Sequence, residues 1–285
     1  MSEAIHTPAD LTISPRDYAF GRDGAAPRWW LGGDPVATAF FDALSATFPQ
    51  GERFFMDAVR RYRHRAPPVL GGQISAFLSQ EAMHTREHIF FNRQIAAHGF
   101  DVAAMEGRTR AILDFARAQD PIKQLGATVA LEHFTAILAH AVLTDERHLA
   151  GAPDEARAMW RWHAGEEIEH KAVAFDTLMA ASGGLSGPRR WLLRAATMIV
   201  ATRLLFSTVG ANMAEIFRHA GIDDRRTWRK VAAFLLVRPG ILRQVAGPYL
   251  AYFAPGFHPW KRDDRAPAAA ALQALDRRQT PAAAA

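Results

Sequence analysis

Two Glu-x-x-His pairs, each preceded by a lone glutamate in an apolar helical stretch, restrict this chain more than any other feature. The pairs are Glu81–His84 in QEAMHTREH and Glu167–His170 in WHAGEEIEH. The lone glutamates are Glu52 in PQGERFF and Glu132 in ALEHFTA. From Glu52 to Glu81 is 29 residues, and from Glu132 to Glu167 is 35, spacings that suit two helical hairpins. Residues three or four apart share one helix face, and a buried face rejects carboxylates that lack partners. Four helices turning these groups inward would build the ligand set of a dinuclear metal site inside a bundle.

Chance does not account for the arrangement. With 12 Glu and 12 His in 285 residues, the spacing is expected roughly 0.5 times, and its meaning rests on helical context. A third occurrence, Glu3–His6, falls in a Pro- and Gly-broken N-terminal stretch and shows what a coincidental match looks like. His163 lies four residues before Glu167, so His163, Glu167 and His170 form one stripe of a helix. Glu166 lies near the same stripe, but the three-residue spacing to His170 favours Glu167. His88 is one turn beyond His84 and reads first as a plain surface or core residue, with an outer partner of the site or a further ligand as the alternative. His133 points about 100° away from Glu132 and reads as packing or an outer partner.

The chain has no cysteine, which excludes disulfides and thiolate ligands. Metals must then be held by imidazole and carboxylate, a donor set that suits iron, with manganese as the alternative. Glu52, Glu81, Glu132 and Glu167 supply four negative charges, matching two divalent cations. Of 34 basic residues 30 are arginine, and the net charge is +5. No basic run is interleaved with aromatics, which argues against a nucleic-acid partner. The glycines of SGGLSG lack the lysine and strand of a phosphate loop, and no nucleophile elbow is present. The N-terminus lacks the basic and apolar regions of a signal peptide, so the protein is expected in the cytoplasm, with membrane association as an alternative.

The expected fold class is all-α, since no stretch sustains strand alternation. Residues 1–33 read as an irregular arm and 34–182 as the metal-binding bundle. Residues 188–264 read as apolar C-terminal helices packed on it, and the Ala-rich 265–285 as a disordered tail. The fourth long helix is expected to run unbroken over about 155–181. Arg194 and Arg203 interrupt the apolar run 189–217, which favours a packing helix over a membrane span.

Glu52, Glu81-x-x-His84, Glu132 and Glu167-x-x-His170 resemble the ferritin-like di-iron carboxylate superfamily. The additional His163 resembles the seven-ligand pattern of its arylamine N-oxygenase branch. More narrowly, GERFF, EAMHTREH, EIEHKAVAFD and PGFHPW resemble a bacterial family catalogued as predicted metal-dependent hydrolases, over roughly residues 30–264. The resemblance implies a ferritin-like four-helix bundle with additional C-terminal helices and two metal ions. The expected chemistry is activation of dioxygen to oxidise a small-molecule substrate, with an electron donor as partner. The alternatives are two-metal hydrolysis of an ester, amide or phosphoester, and non-enzymatic storage or structural metal binding. A homodimer and peripheral membrane contact are compatible with the sequence.

Overall fold

The computed structural model describes residues 6–22, 24 and 26–279. The ends of the expected arm and tail, 1–5 and 280–285, lie outside the described residues. Eleven α-helices and no strand occur among the described residues, so the chain is an all-α bundle carrying further helices.

Helix α1 spans Pro35–Ser45. Asp34 starts it by accepting from the Val36 amide at 2.8 Å, with Pro35 preset for the first helical position. Helices α2 (Phe48–Arg60) and α3 (Pro68–Ala97) form the first hairpin of the core. Helix α4 (Val102–Arg117) is capped by Asp101, which accepts from the Ala104 amide. Helices α5 (Pro121–Thr144) and α6 (Asp154–His170) form the second hairpin. Helix α5 is apolar on nearly every side and is accordingly enclosed, between α6 on one side and α8 (Gly187–His219) on the other. The turn before α6 depends on two glycines. Gly151 has φ +74°, and a Cβ on it would stand 2.7 Å from the Gly32 Cα, so this crossing tolerates no side chain.

Two expectations need correction. The helix expected over 155–181 is divided into α6 and α7 (Val173–Ala181), with the break at Lys171 and Ala172. The cause is tertiary. The Lys171 ammonium is buried, donates to the Arg262 carbonyl at 2.7 Å and to Asp264 Oδ2 at 3.0 Å, and lies 4.0 Å from the Trp260 ring centroid. The PGFHPWKRDD segment therefore clamps the chain where the metal-binding stripe ends.

The second correction concerns the tail. Residues Arg265–Gln279 form helix α11, packed on α6, where disorder was expected. Ala268, Ala271, Leu272 and Leu275 are buried at intervals of three and four residues. The alanine content that suggested disorder also allows close helix approach, since Gly165 of α6 receives Leu272 where a Cβ would lie 2.7 Å from its Cγ.

The C-terminal helices α8, α9 (Arg225–Leu236) and α10 (Ile241–Ala251) complete the structure. Helices α5 and α8 are both long and apolar enough to cross a membrane by length and composition. The most apolar window of α5 is 72% buried in the protein, that of α8 only 33%. Helix α8 packs through one face, and Leu192, Ile199 and Val200 on the other are exposed.

Candidate metal centre

The four core helices each contribute to one buried cluster. Glu52 comes from α2, Glu81 and His84 from α3, Glu132 from α5, and His163, Glu167 and His170 from α6. All seven are buried. Three triads have donor atoms within 4.8 Å of one another: Glu52, His84 and His163; Glu81, His84 and Glu167; and Glu81, Glu132 and His170. The triads overlap through Glu81 and His84, so they form two adjoining positions. Glu167 lies between them, with Oε1 2.9 Å from His163 Nε2 and Oε2 3.5 Å from His170 Nε2.

Each imidazole turns one nitrogen to the cluster and has the other held from outside. His84 Nε2 lies 3.1 Å from Glu166 Oε2, leaving Nδ1 facing Glu167. Glu166 is fixed in turn by Arg16 at 3.1 Å. His170 Nδ1 donates to Gln80 Oε1 at 2.9 Å, leaving Nε2 3.2 Å from Glu81 Oε1. The Gln80 amide nitrogen donates to Glu169, which settles which end of the amide accepts.

His163 is held by a longer chain. Ser45 Oγ donates to Asn92 Oδ1 at 2.6 Å, so it accepts from His88 Nδ1 at 2.8 Å. His88 Nε2 then accepts from His163 Nδ1 at 2.6 Å, and the His163 Nε2 lone pair faces the cluster. Imidazoles oriented in this way through their far nitrogen are the usual support of a metal site.

Most of the inward atoms have no hydrogen-bond partner. Those without one include both oxygens of Glu81 and Glu132, one oxygen each of Glu52 and Glu167, His84 Nδ1 and His170 Nε2. Buried polar atoms are normally paired, and so many converging on one point fit cations better than any protein donor. Burial, joined by mutual repulsion, pushes Glu52 and Glu81 well above the usual carboxylate range, and burial pushes Glu132 up to about 8. Burial also acts to raise Glu167, but the neighbouring His170, with His163 close beside it, outweighs burial and holds the group low. Burial lowers His84 and His88, so both stay neutral and keep a lone pair. The cluster is thus a set of carboxylates and imidazoles that positive charge would resolve, consistent with a dinuclear metal cofactor.

The structure brings together all seven residues that the sequence picked out. His133 lies elsewhere, hydrogen-bonded to the Pro248 carbonyl and packed on Tyr252. His88 is one of the outer partners, and Glu166 orients His84. Sequence reasoning missed Arg16, Gln80, Ser45, Thr85 and Asn92. Arg16 is 150 residues from Glu166, and nothing local marks it. Gln80 and Thr85, which donates to Glu52 at 2.7 Å, flank the first motif and could have been sought there.

A family model described as "Predicted metal-dependent hydrolase" matches residues 14–263, and the chain belongs to that family. No curated protein and no solved structure matches it.

Proposed function

We propose that this member of the metal-dependent hydrolase family is a two-metal hydrolase. Glu52, Glu81, His84, Glu132, His163, Glu167 and His170 would hold the metals. The observation that carries the proposal is the convergence of unpartnered, fully buried donor atoms on two adjoining positions, in a chain whose family is assigned to hydrolysis.

Bound divalent cations supply Lewis acidity and activate water at neutral pH. The residues supply the rest. Four carboxylates balance the charge of two cations. Glu166, His88 and Gln80 lock the imidazoles, so little reorganisation is needed around the reacting group. The enclosing helices exclude bulk water, which strengthens every electrostatic contact at the site.

Oxidative chemistry is the second reading. It rests on the donor set: four carboxylates and three imidazoles in a four-helix bundle, the ferritin-like arrangement, with iron or manganese as the metal and an external electron donor. One experiment separates the two. Protein loaded with zinc should hydrolyse an ester or phosphoester from a small panel as well under anaerobic conditions as in air. Hydrolysis absent with zinc, together with a transient charge-transfer band when the ferrous protein meets oxygen, would overturn the hydrolytic reading in favour of the oxidative one.

A further inference from the structure

A cavity of about 420 Å³ lies between α2, α4, α5 and α8. This is within the size range of small-molecule sites. Its mouth is framed by Phe115, Lys123 and Val200, all exposed. Its inner end reaches Leu44, Phe48, Thr135 and Leu138. The same four residues wall a second, smaller cavity of about 40 Å³, and the far wall of that one is His163 and Glu167. Phe48 stands at the junction, its ring centroid 4.9 Å from that of His163. The large cavity and the metal cluster thus lie on either side of these four shared residues and the small cavity.

The chemistry of the wall decides what could occupy it. The body is Phe, Leu, Ile, Val and Ala, with five threonines among them. Each threonine hydroxyl turns back to a carbonyl of its own stretch of chain: Thr47 to Leu44, Thr109 to Met105, Thr135 to Glu132, Thr197 to Leu193 and Thr208 to Leu204. Their hydroxyl protons are thereby taken and are not offered to the cavity. Gln124 directs its amide nitrogen to the carbonyls of Arg117 and Gln119. A ligand with polar groups along its length would leave them unpaired here, at a cost in affinity. An unbranched apolar chain leaves nothing unpaired.

We infer that this cavity is the substrate chamber of the metal centre and takes an alkyl chain, so that the substrate class is a small molecule with a polar reactive group at the end of such a chain. The reactive group sits beyond Phe48, and the chain runs out between α5 and α8. The inference rests on the metal-centre reading for the reaction, though not for the binding.

The test is a titration of metal-loaded protein with straight-chain primary alcohols from butanol to decanol, followed by calorimetry. Burial of each further methylene should tighten binding about fourfold, with one alcohol per chain, until the chamber is full. In Ala127→Trp, which fills the middle of the chamber, the gain should end at the shorter alcohols, with metal content unchanged. Ala196→Trp at the exposed side of α8 gives a second blocked variant should the first fail to keep its helical circular dichroism. Chain-length dependence equal in wild type and both variants would place the alcohols on the exposed face of α8 and overturn the inference. Two bound metals with no dependence on chain length would overturn it and leave the metal centre standing. Chain-dependent binding by a protein that takes up no metal would uphold the chamber and remove the proposed function.

Discussion

His88 Nε2 lies 2.6 Å from His163 Nδ1, and the Ser45 and Asn92 contacts behind it make His88 the acceptor. The proton on His163 is thereby placed on the nitrogen remote from the cluster. His88→Ala should leave Glu52, His84 and Glu167 in place but let the His163 ring turn and change tautomer. Loss of such an outer partner costs about 10–100-fold in metal affinity. A competition titration with a chelator of known affinity reads this directly. Affinity unchanged in His88→Ala would mean that His163 is oriented by packing alone, against Phe48 and Trp160.

His163→Ala removes a donor outright and should do more. One of the two positions, the one shared with Glu52 and His84, should lose its metal at concentrations that fill the other. Elemental analysis should fall from two metals per chain towards one, while the far-ultraviolet circular dichroism stays helical. Two metals retained at wild-type affinity would reduce the site to six residues and remove the seven-ligand resemblance.

Much of this centre was legible because its signal is local. Glu81 and His84, or Glu167 and His170, are one helical turn apart, and a turn is read directly from spacing. The lone Glu52 and Glu132 became legible only by their repeat against those pairs. What was not legible depends on contacts between distant segments. Arg16 reaches Glu166 from an arm with no helical pattern. The break after His170 is imposed by Lys171 meeting Asp264 and Trp260, which no propensity reveals. The order of α11 was hidden for a similar reason. An Ala-rich segment is a good helix former but carries little apolar area, so whether it packs is decided by the groove it finds.

That groove is tested through Gly165 and Leu272. Gly165→Val places side-chain atoms where Leu272 now sits, and such overpacking typically costs about 1–3 kcal/mol. Leu272→Ala alone should cost about 2–5 kcal/mol through loss of buried area and the cavity left behind. The double variant should be less destabilised than the sum of the two, because the space opened by one receives the other; couplings of this kind reach about 0.5–3 kcal/mol. Denaturant melts of the four proteins give the coupling. Strict additivity would show that α11 does not rest on α6 in solution.

The last prediction concerns Asp42, which is 1% exposed on α1, with Oδ1 accepting from Trp30 Nε1 at 2.9 Å. Burial pushes its carboxyl up to about 8, only partly offset by the Trp30 hydrogen bond. The folded protein thus holds this proton to about pH 8, whereas the unfolded chain releases it near pH 4. Between those values unfolding releases a proton, so raising the pH favours the unfolded state. Stability from this group is fully present below about pH 4 and is lost as pH rises through about 8. The slope is about −1.4 kcal/mol per pH unit, and the total is on the order of 5 kcal/mol. Asp42→Asn keeps a carbonyl oxygen for Trp30 and has no proton to lose. The difference in unfolding free energy between wild type and Asp42→Asn should therefore change steadily between pH 5 and 8, with the variant gaining on the wild type as pH rises. Taking the difference cancels the titration of the metal cluster, which both proteins share. Parallel stability curves over this range would show that Asp42 is already ionised in the folded protein.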